Sequence, residues 1–259
     1  MFAIERQEKI LRIVKKKKSI SVDELSDIFK VSNVTIRKDL KELEDKGFIL
    51  RTFGGAVIKE VITSEIPYNN RKTDYIEIKK ELASTVCKYI TDNISIYLDA
   101  GTTTFQVCEY LLGFHGLVII TNDILIASYL FNNDLEKNNN QLIMLGGGVS
   151  NKSGSCCDSV TLSTIDKFRT NISIVGCDAI DIKTLDIFTS SADKATLKSK
   201  AAKIGNKSIL LTGSDKCEKL GLYKFGNCDD FDFVITDNNN NNFIKKLKEK
   251  EVEVKINNL

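Results

Sequence analysis

Small and hydroxyl-bearing residues follow an apolar segment near residue 100, where a predicted strand gives way to a predicted helix. The stretch reads Asp99-Ala100-Gly101-Thr102-Thr103-Thr104. Gly101 lets the backbone approach a ligand closely, and the threonines offer hydroxyls and backbone N–H groups at a helix N-terminus. Such an arrangement binds phosphate with the help of the helix dipole. The alternative is that Thr102 only caps the helix, and the motif by itself leaves both interpretations open.

Several other kinds of site are excluded by what the sequence lacks. The GTTT segment has no lysine, so it is not a GxxxxGK[ST] nucleotide loop, and the three glycines at 146–148 do not form a GxGxxG motif. His115 is the single histidine, which excludes metal sites that need two. We therefore expect no metal ion and no cofactor.

Basic residues near the N-terminus form a second candidate site. Ser32 is a good N-cap for a helix whose apolar residues Ile36, Leu40 and Leu43 share one face. Arg37, Lys38 and Lys41 project away from that face. Arginine can form paired hydrogen bonds with guanine, and asparagine with adenine.

Helices and a hairpin surround this basic helix. The pair Ser21 and Glu24 fits a capping box that begins the preceding helix near Val22 and runs to about Phe29. Gly47 is placed to end the basic helix, and the segment FILRTFGGAVI predicts a short hairpin. Apolar residues near helical spacing, Ile4, Ile10, Leu11 and Val14, predict a first helix that ends about Lys18. Three short helices and a hairpin predict a winged helix-turn-helix, whose third helix enters the major groove of DNA.

This N-terminal segment predicts a DNA-binding surface. The alternative is a helical hairpin used only for dimer contacts. Residues 1–58 hold 13 Lys or Arg against 9 Asp or Glu, whereas the remaining residues hold 24 against 26, and a basic segment favours a polyanionic partner. The residues predicted to contact double-stranded DNA are Ser32, Asn33, Thr35, Arg37, Lys38, Lys41, Arg51, Gly54 and Gly55.

The segment from Ser21 to Ala56 resembles the head of the DeoR family of bacterial transcriptional regulators. The family pattern V-S-x-x-T-I-R-[RK]-D-L is matched from Val31 to Leu40, and R-x-H-G-G-A is matched from Arg51 to Ala56. Phe53 stands where the family has histidine. The resemblance implies a DNA-binding regulator.

The rest of the chain predicts an α/β domain after a linker that contains Pro67, the single proline. Short apolar segments alternate with helical ones, which predicts a mostly parallel sheet with polar residues at the carboxyl ends of its strands, where ligands bind. We expect a DNA-binding domain at 1–58, a linker at 59–75 and an α/β domain at 76–259. Seven cysteines without CxxC spacing indicate reduced thiols in a cytoplasmic protein, and no apolar run predicts a membrane helix.

The α/β segment also resembles the effector domain of the DeoR family, which is similar in fold to ribose-5-phosphate isomerase and the CoA transferases. The resemblance implies a sensor of a phosphorylated sugar, in which Thr102, Thr103 and Lys216 hold the phosphate while Asp99 and Asn122 bind hydroxyls. Arg71 also matches a family arginine; the alternative is a solvated linker charge. The effector-binding residues implied are Asp99, Gly101, Thr102, Thr103, Thr104, Asn122, Gly146, Gly147, Asp178, Lys198 and Lys216. Ala179, Asp193 and Gly213 depart from the family pattern.

Together these features predict a repressor of a sugar-metabolism operon that a sugar phosphate releases from DNA. The alternative is a phosphosugar isomerase with an appended DNA-binding head, since an aspartate base near a lysine suits that reaction. Paired half-sites in DNA imply a homodimer or homotetramer.

Overall fold

The computed structural model of the 259-residue chain describes residues 2–46, 48–52, 54–58, 60–62 and 65–256. The chain divides into two compact units, Met1–Val61 and Ile62–Leu259. Two residues of the sequence predictions, Gly47 and Phe53, lie outside the described residues.

The first unit is a helix-turn-helix with a small sheet. Its helices are α1 (Ala3–Lys17), α2 (Val22–Phe29) and α3 (Asn33–Asp45), and its strands are β1 (Ser19–Ser21), β2 (Ile49–Thr52) and β3 (Gly55–Ile58). Both N-caps form, because Ser21 accepts from the Glu24 amide and Ser32 from the Thr35 amide. The Glu24 side chain pairs with Lys17, so only the Ser21 half of the predicted capping box is present. The predicted hairpin is β2 and β3, and β1 adds a third strand beside β3 that the sequence analysis did not foresee.

The core of this unit is made by the predicted apolar stripes. Leu25 of α2 and Ile36 and Leu40 of α3 are fully or almost fully buried, together with Ile10 and Val14 of α1. Burying one face of each short helix stabilises helices that would be marginal alone. This packing fixes which face of α3 is left to solvent.

The division between the units falls within a short strand, β4 (Glu60–Ile62). The second unit has seven helices: α4 (Tyr68–Arg71), α5 (Ile76–Cys87), α6 (Cys108–Leu111), α7 (Ile124–Asn132), α8 (Ser159–Ile165), α9 (Ala192–Ile204) and α10 (Asn241–Glu249), counted over the described residues. Its strands are β5 (Ser95–Leu98), β6 (Val118–Thr121), β7 (Gln141–Met144), β8 (Thr170–Val175), β9 (Ala179–Ile180), β10 (Asp186–Thr189), β11 (Gly205–Leu211), β12 (Lys219–Gly221), β13 (Tyr223–Asn227), β14 (Phe233–Thr236) and β15 (Val254–Ile256).

Seven of these strands form one parallel sheet in the order β15-β14-β11-β8-β5-β6-β7. The central strands are buried on both faces, which is why their sequences are almost continuously apolar. Two apolar clusters cover the two faces. The α/β fold class is therefore confirmed, and the carboxyl ends of β5, β6 and β8 lie side by side.

Three further strands form a separate antiparallel sheet in the order β13-β10-β9. The sequence analysis does not predict this second sheet. No helix among the described residues is both long and apolar enough to cross a membrane.

Candidate functional site

The exposed face of α3 carries the basic side chains that the sequence singled out. Arg37, Lys38 and Lys41 are all exposed, whereas Ile36 and Leu40 beside them are buried. Val34 is 73% exposed at the start of the same helix. An apolar side chain at this position of a recognition helix can pack against a thymine methyl group. The face therefore offers both cations and an apolar contact to a major groove.

The residues at the start of α3 also make local hydrogen bonds. The Ser32 hydroxyl lies 3.0 Å from the Thr35 hydroxyl, and the Asn33 amide donates to Asp23 of α2 at 2.8 Å. The first contact is local to the start of α3, and the second joins α3 to α2 across their turn. Asn33 therefore has a structural partner, in addition to any base contact.

A buried ion pair fixes α3 against α1. Arg6 donates from its Nε to Asp39 at 2.5 Å, and Gln7 donates to Glu42 at 2.6 Å. The side chains of Arg6 and Asp39 are 11% and 3% exposed. Asp39 is the aspartate of the V-S-x-x-T-I-R-[RK]-D-L pattern, and its partner on α1 explains why this carboxylate is buried between the two helices.

The hairpin residues divide into two groups. Arg51 and Gly54 are exposed, and Arg51 lies 3.9 Å from the Glu44 carboxylate. Gly55 is buried, and a Cβ there would lie 2.1 Å from the carbonyl oxygen of Ile20. Gly55 therefore has a packing role against β1, where only glycine fits, and lies away from the exposed surface.

A cavity in the second unit lies at the carboxyl ends of β5, β6 and β8. It encloses about 20 Å³, room for about one water molecule. Its polar lining is Arg71, Asp99, Asn122, Ser153, Ser155, Asp178, Thr189, Lys194 and Lys198. Polar residues that follow separate strands thus meet at one edge of the sheet, as in other open α/β sheets.

Asp99 and Lys198 form a buried ion pair in this cavity. The Lys198 ammonium donates to Asp99 Oδ2 and, at 3.0 Å, to the carbonyl of Gly176, whose own amide donates to Asp99 at 3.0 Å. Burial works to lower the pKa of Lys198, but the charges of Asp99 and Asp178 outweigh it and the pKa is raised. The Lys198 ammonium is therefore held in its charged form.

Arg71 and Asp178 form the next layer of the site. Arg71 NH1 lies 3.6 Å from Asp178 Oδ1, and the Thr189 hydroxyl donates to Asp178 Oδ2 at 2.9 Å. Burial works to raise the pKa of Asp178, but Lys198 and Arg71 outweigh it and hold the pKa below its usual value. Arg71 is thus more than a solvated linker charge, because it lines the same cavity as Asp99.

Lys216 lies in a second, smaller cavity that shares Arg71 and Asp178 with the first. This cavity encloses about 10 Å³ and is also lined by Glu65, Ile66, Ser190 and Lys219. Lys216 donates to Asp215 at 2.8 Å, and Lys219 donates to the same oxygen at 3.3 Å. The Asp215 carboxylate thus faces Lys216 from the sequence GSDK, where the family pattern is DSSK.

The threonine loop contributes less to the cavity than the sequence suggested. Gly101 lines it, but Thr102 and Thr104 are buried at 4% and 1% exposure, and the Thr104 hydroxyl donates to the Gly101 carbonyl. Thr103 is half-buried and lies outside both linings. The structure does not bring Lys216 and these threonines into one cavity, although the family resemblance implies that Thr102, Thr103 and Lys216 hold the same phosphate.

Asn122 and Gly147, which are also predicted to bind the effector, are in close contact with other residues of the protein. Asn122 accepts from the Tyr97 hydroxyl and the Ala100 amide and donates to the Cys156 carbonyl, so its hydrogen bonds hold neighbouring loops. Gly146 and Gly147 lie outside both cavity linings. A Cβ at Gly147, where φ is +124°, would lie 2.4 Å from the carboxylate of Asp158, which caps α8.

Sequence reasoning missed several residues that the structure brings to the site. Lys194, Ser153, Ser155 and Thr189 line the first cavity, and Glu65 lines the second. Lys194 lies four residues before Lys198 on α9, so both face the same way, and this spacing is the one signal that could have revealed it. Ser153 and Glu65 come from irregular segments, where no periodic pattern indicates direction.

Comparison with known proteins covers both units. Residues 6–61 match the family described as the DeoR-like helix-turn-helix domain, and residues 74–238 match the DeoR C terminal sensor domain. These matches confirm the resemblance drawn from the motifs of the two segments.

Two related transcriptional regulators match this chain over most of its length. YulB, an uncharacterized HTH-type transcriptional regulator of Bacillus subtilis (strain 168), is 32% identical over 255 residues, which cover 98% of this chain and 96% of YulB. The glycerol-3-phosphate regulon repressor of Escherichia coli (strain K12) is 30% identical over 235 residues, 90% of each chain. A D-ribose-5-phosphate isomerase solved with phospho-erythronic acid overlaps 55% of this chain and 54% of its own, with 17% identity and a TM-score of 0.40.

Proposed function

This chain belongs to the DeoR family of transcriptional regulators, and from that premise we propose that a phosphorylated sugar releases it from the operator of a sugar-metabolism operon. In this proposal α3 and the hairpin bind double-stranded DNA, and the second unit binds the sugar phosphate. The protein acts as a repressor when no effector is bound.

The charge of the effector site carries this proposal. Cations outnumber carboxylates around the two cavities, even when Asp215 behind the second cavity is included. The cations are Arg71, Lys194, Lys198, Lys216 and Lys219, and the carboxylates are Glu65, Asp99, Asp178 and Asp215. An excess of one positive charge at the site favours an anionic ligand, and arginine suits a phosphate in particular. Hydroxyls of Ser153, Ser155 and Thr189 at the same place suit a ligand that also carries hydroxyl groups.

The DNA-binding part of the proposal depends on exposure. Arg37, Lys38 and Lys41 lie on the solvent face of α3, where cations can displace the counterions of a DNA backbone. One such helix reads a single half-site, so we propose that a homodimer or homotetramer binds a paired operator.

The isomerase alternative has less support. A general base that works near neutral pH needs a pKa raised toward 7, whereas the pKa of Asp178 is lowered by Lys198 and Arg71. Asp99 is committed to Lys198 and the Gly176 amide. We therefore propose that the second unit senses its ligand without converting it.

Thermal unfolding with a panel of pentose, hexose and triose phosphates, including glycerol 3-phosphate, tests the effector. A true effector at about 100 times its dissociation constant should stabilise the protein by about 2.7 kcal/mol. The same compound should release a labelled operator fragment, and its unphosphorylated parent should do neither. Stabilisation by none of these compounds would contradict a sugar-phosphate effector, and conversion of any of them would favour the isomerase.

A further inference from the structure

Glu65 places a carboxylate against the cations of the effector site. Its Oε1 forms an ion pair with the Lys194 ammonium and lies 3.9 Å from Arg71 NH2, and its Oε2 accepts from the Ser150 hydroxyl at 3.3 Å. The Glu65 side chain is 14% exposed. This carboxylate is therefore seated in the site, although it comes from an irregular segment outside the sheet and its helices.

The cations of the effector site differ in their carboxylate partners. Lys198 has Asp99, Lys216 has Asp215, and Arg71 also has Asp178. For Lys194, Glu65 is the carboxylate within ion-pair distance among the described residues, and the Ser153 hydroxyl is its other hydrogen-bond partner. Among the described residues, Glu65 is thus the carboxylate that pairs with Lys194.

The two cavities are too small for a sugar phosphate, so part of their lining must move before one binds. The two cavities enclose about 20 and 10 Å³, whereas drug-sized ligands occupy pockets of roughly 300–1,000 Å³. The strands that end at the site are part of the buried sheet and cannot move cheaply. Glu65 lies outside this sheet, on a segment where the amide of Tyr68 donates to the Lys152 carbonyl at 2.7 Å.

The place of Glu65 in the chain connects the site to the DNA-binding unit. The first unit ends at Val61, and Glu65 lies three residues after Ile62, the last residue of β4. Arg71 also donates from its Nε to the carbonyl of Ile66 at 3.0 Å. Lys194 and Arg71 therefore hold the side chain and the backbone of the segment that joins the two units.

We propose that Glu65 is a tethered anion that occupies the phosphate-binding cations, and that an anionic effector displaces it and so frees the joining segment. This inference rests on the proposed function, since it names how occupancy of that site reaches the DNA-binding unit. A carboxylate and a phosphate cannot both stay beside Lys194 without repulsion, so binding of one weakens binding of the other. Once this segment is released, the relative placement of two DNA-binding units at an operator changes.

Inorganic phosphate is the probe that tests the competition, titrated at constant ionic strength against thermal unfolding of the full chain. Glu65→Gln keeps the shape and removes the charge, so it should lower the half-saturating phosphate concentration about tenfold, within the range typical of coupled sites. Lys194→Met should abolish most of the phosphate effect. Glu77→Gln, which removes an exposed carboxylate of α5, should leave the titration unchanged. Equal or weaker phosphate binding by Glu65→Gln would overturn the proposal.

Amide hydrogen exchange of the wild-type chain tests the release without relying on a variant. Phosphate should accelerate exchange in peptides that span 62–68 and slow it in peptides that span 99–104. Slower exchange in both would mean that Glu65 closes over the anion, which contradicts displacement.

A last comparison separates this inference from the proposed function. A sugar phosphate that releases the operator from wild type should release it from Glu65→Gln at a lower concentration. Release at the same concentration from both would overturn the role of Glu65 and leave the repressor function standing. If no sugar phosphate releases the operator from either protein and phosphate binds to neither, both the role of Glu65 and the proposed function are overturned.

Discussion

The DNA-binding face of α3 and the effector site use basic residues in opposite ways. Arg37, Lys38 and Lys41 are exposed, and no ion pair involves them among the described residues. Lys198 in the effector site is buried and paired with Asp99. An exposed cation meets its partner only when DNA arrives, whereas a buried cation needs its partner for the fold itself.

This difference determines which property, binding or stability, a substitution changes in each region. Removal of an exposed cation on α3 should change affinity for DNA and leave the free energy of unfolding almost unchanged. Removal of a buried cation in the effector site should change both the stability and the binding. The four predictions below test this contrast, from the largest expected effect to the smallest.

Lys198→Ala should destabilise the second unit by about 3–5 kcal/mol, because it leaves the buried Asp99 carboxylate without its cation. Chemical denaturation of the full chain measures this loss. The double variant Lys198→Met with Asp99→Asn removes both charges and should recover most of the stability. A loss below about 1 kcal/mol for Lys198→Ala would show that Asp99 is solvated, and would erase the contrast with α3.

Asp123 extends the contrast between exposed and buried charges to a buried carboxylate. Among the described residues, no cation forms an ion pair with it. Burial raises its pKa to about 6, although the amides of Leu125 and Ile126 at the start of α7 oppose this. A carboxyl group with a raised pKa in the folded state binds its proton more tightly there than in the unfolded chain. Its contribution to stability is therefore complete below about pH 4 and is lost as the pH rises through 6, by about 3 kcal/mol in total.

The difference in unfolding free energy between wild type and Asp123→Asn measures this contribution. Since asparagine does not titrate, the variant should gain relative to wild type as the pH rises, with about half of the change between pH 5 and 7.5. Asp178 and Asp215 have lowered pKa values and act in the opposite direction, but they are present in both proteins and cancel. A difference that does not vary with pH would contradict the raised pKa.

The contrast also explains how much could be predicted from the sequence. The helix bounds around Ser21 and Ser32 and the exposed face of α3 follow from caps and from 3.6-residue spacing, both of which act over a few residues. The parallel sheet follows from apolar runs that end in polar residues. In these cases neighbouring residues carry the whole signal.

The effector site was predicted less completely because its contacts join distant residues. Lys198 and Asp99 are 99 positions apart, and Lys194 and Glu65 are 129 apart. No local pattern encodes such pairings. The motif identified Asp99 and Lys198 as site residues, but it did not indicate that Asn122 holds loops, that Gly147 fits beside Asp158, or that Glu65 enters the site.

Arg37→Ala should weaken operator binding by about 1–3 kcal/mol and relax the preference at one base pair, if Arg37 binds a guanine. Its free energy of unfolding should stay within about 0.5 kcal/mol of wild type, because the side chain is exposed. Binding assays with operator variants and denaturation of the same sample measure the two quantities. Equal weakening on every sequence would make Arg37 a phosphate contact instead.

Lys41→Ala should have the smallest effect, because an exposed lysine two turns into α3 is placed for a phosphate contact rather than a base contact. It should weaken binding almost uniformly across sequences and reduce the slope of log K against log salt by about 1. Lys245→Ala is the matched control, since that lysine is exposed on α10 of the second unit and should leave the slope unchanged. If Lys41→Ala altered base preference instead, base contacts would extend past the first two turns of α3, and a longer part of this helix would lie in the major groove.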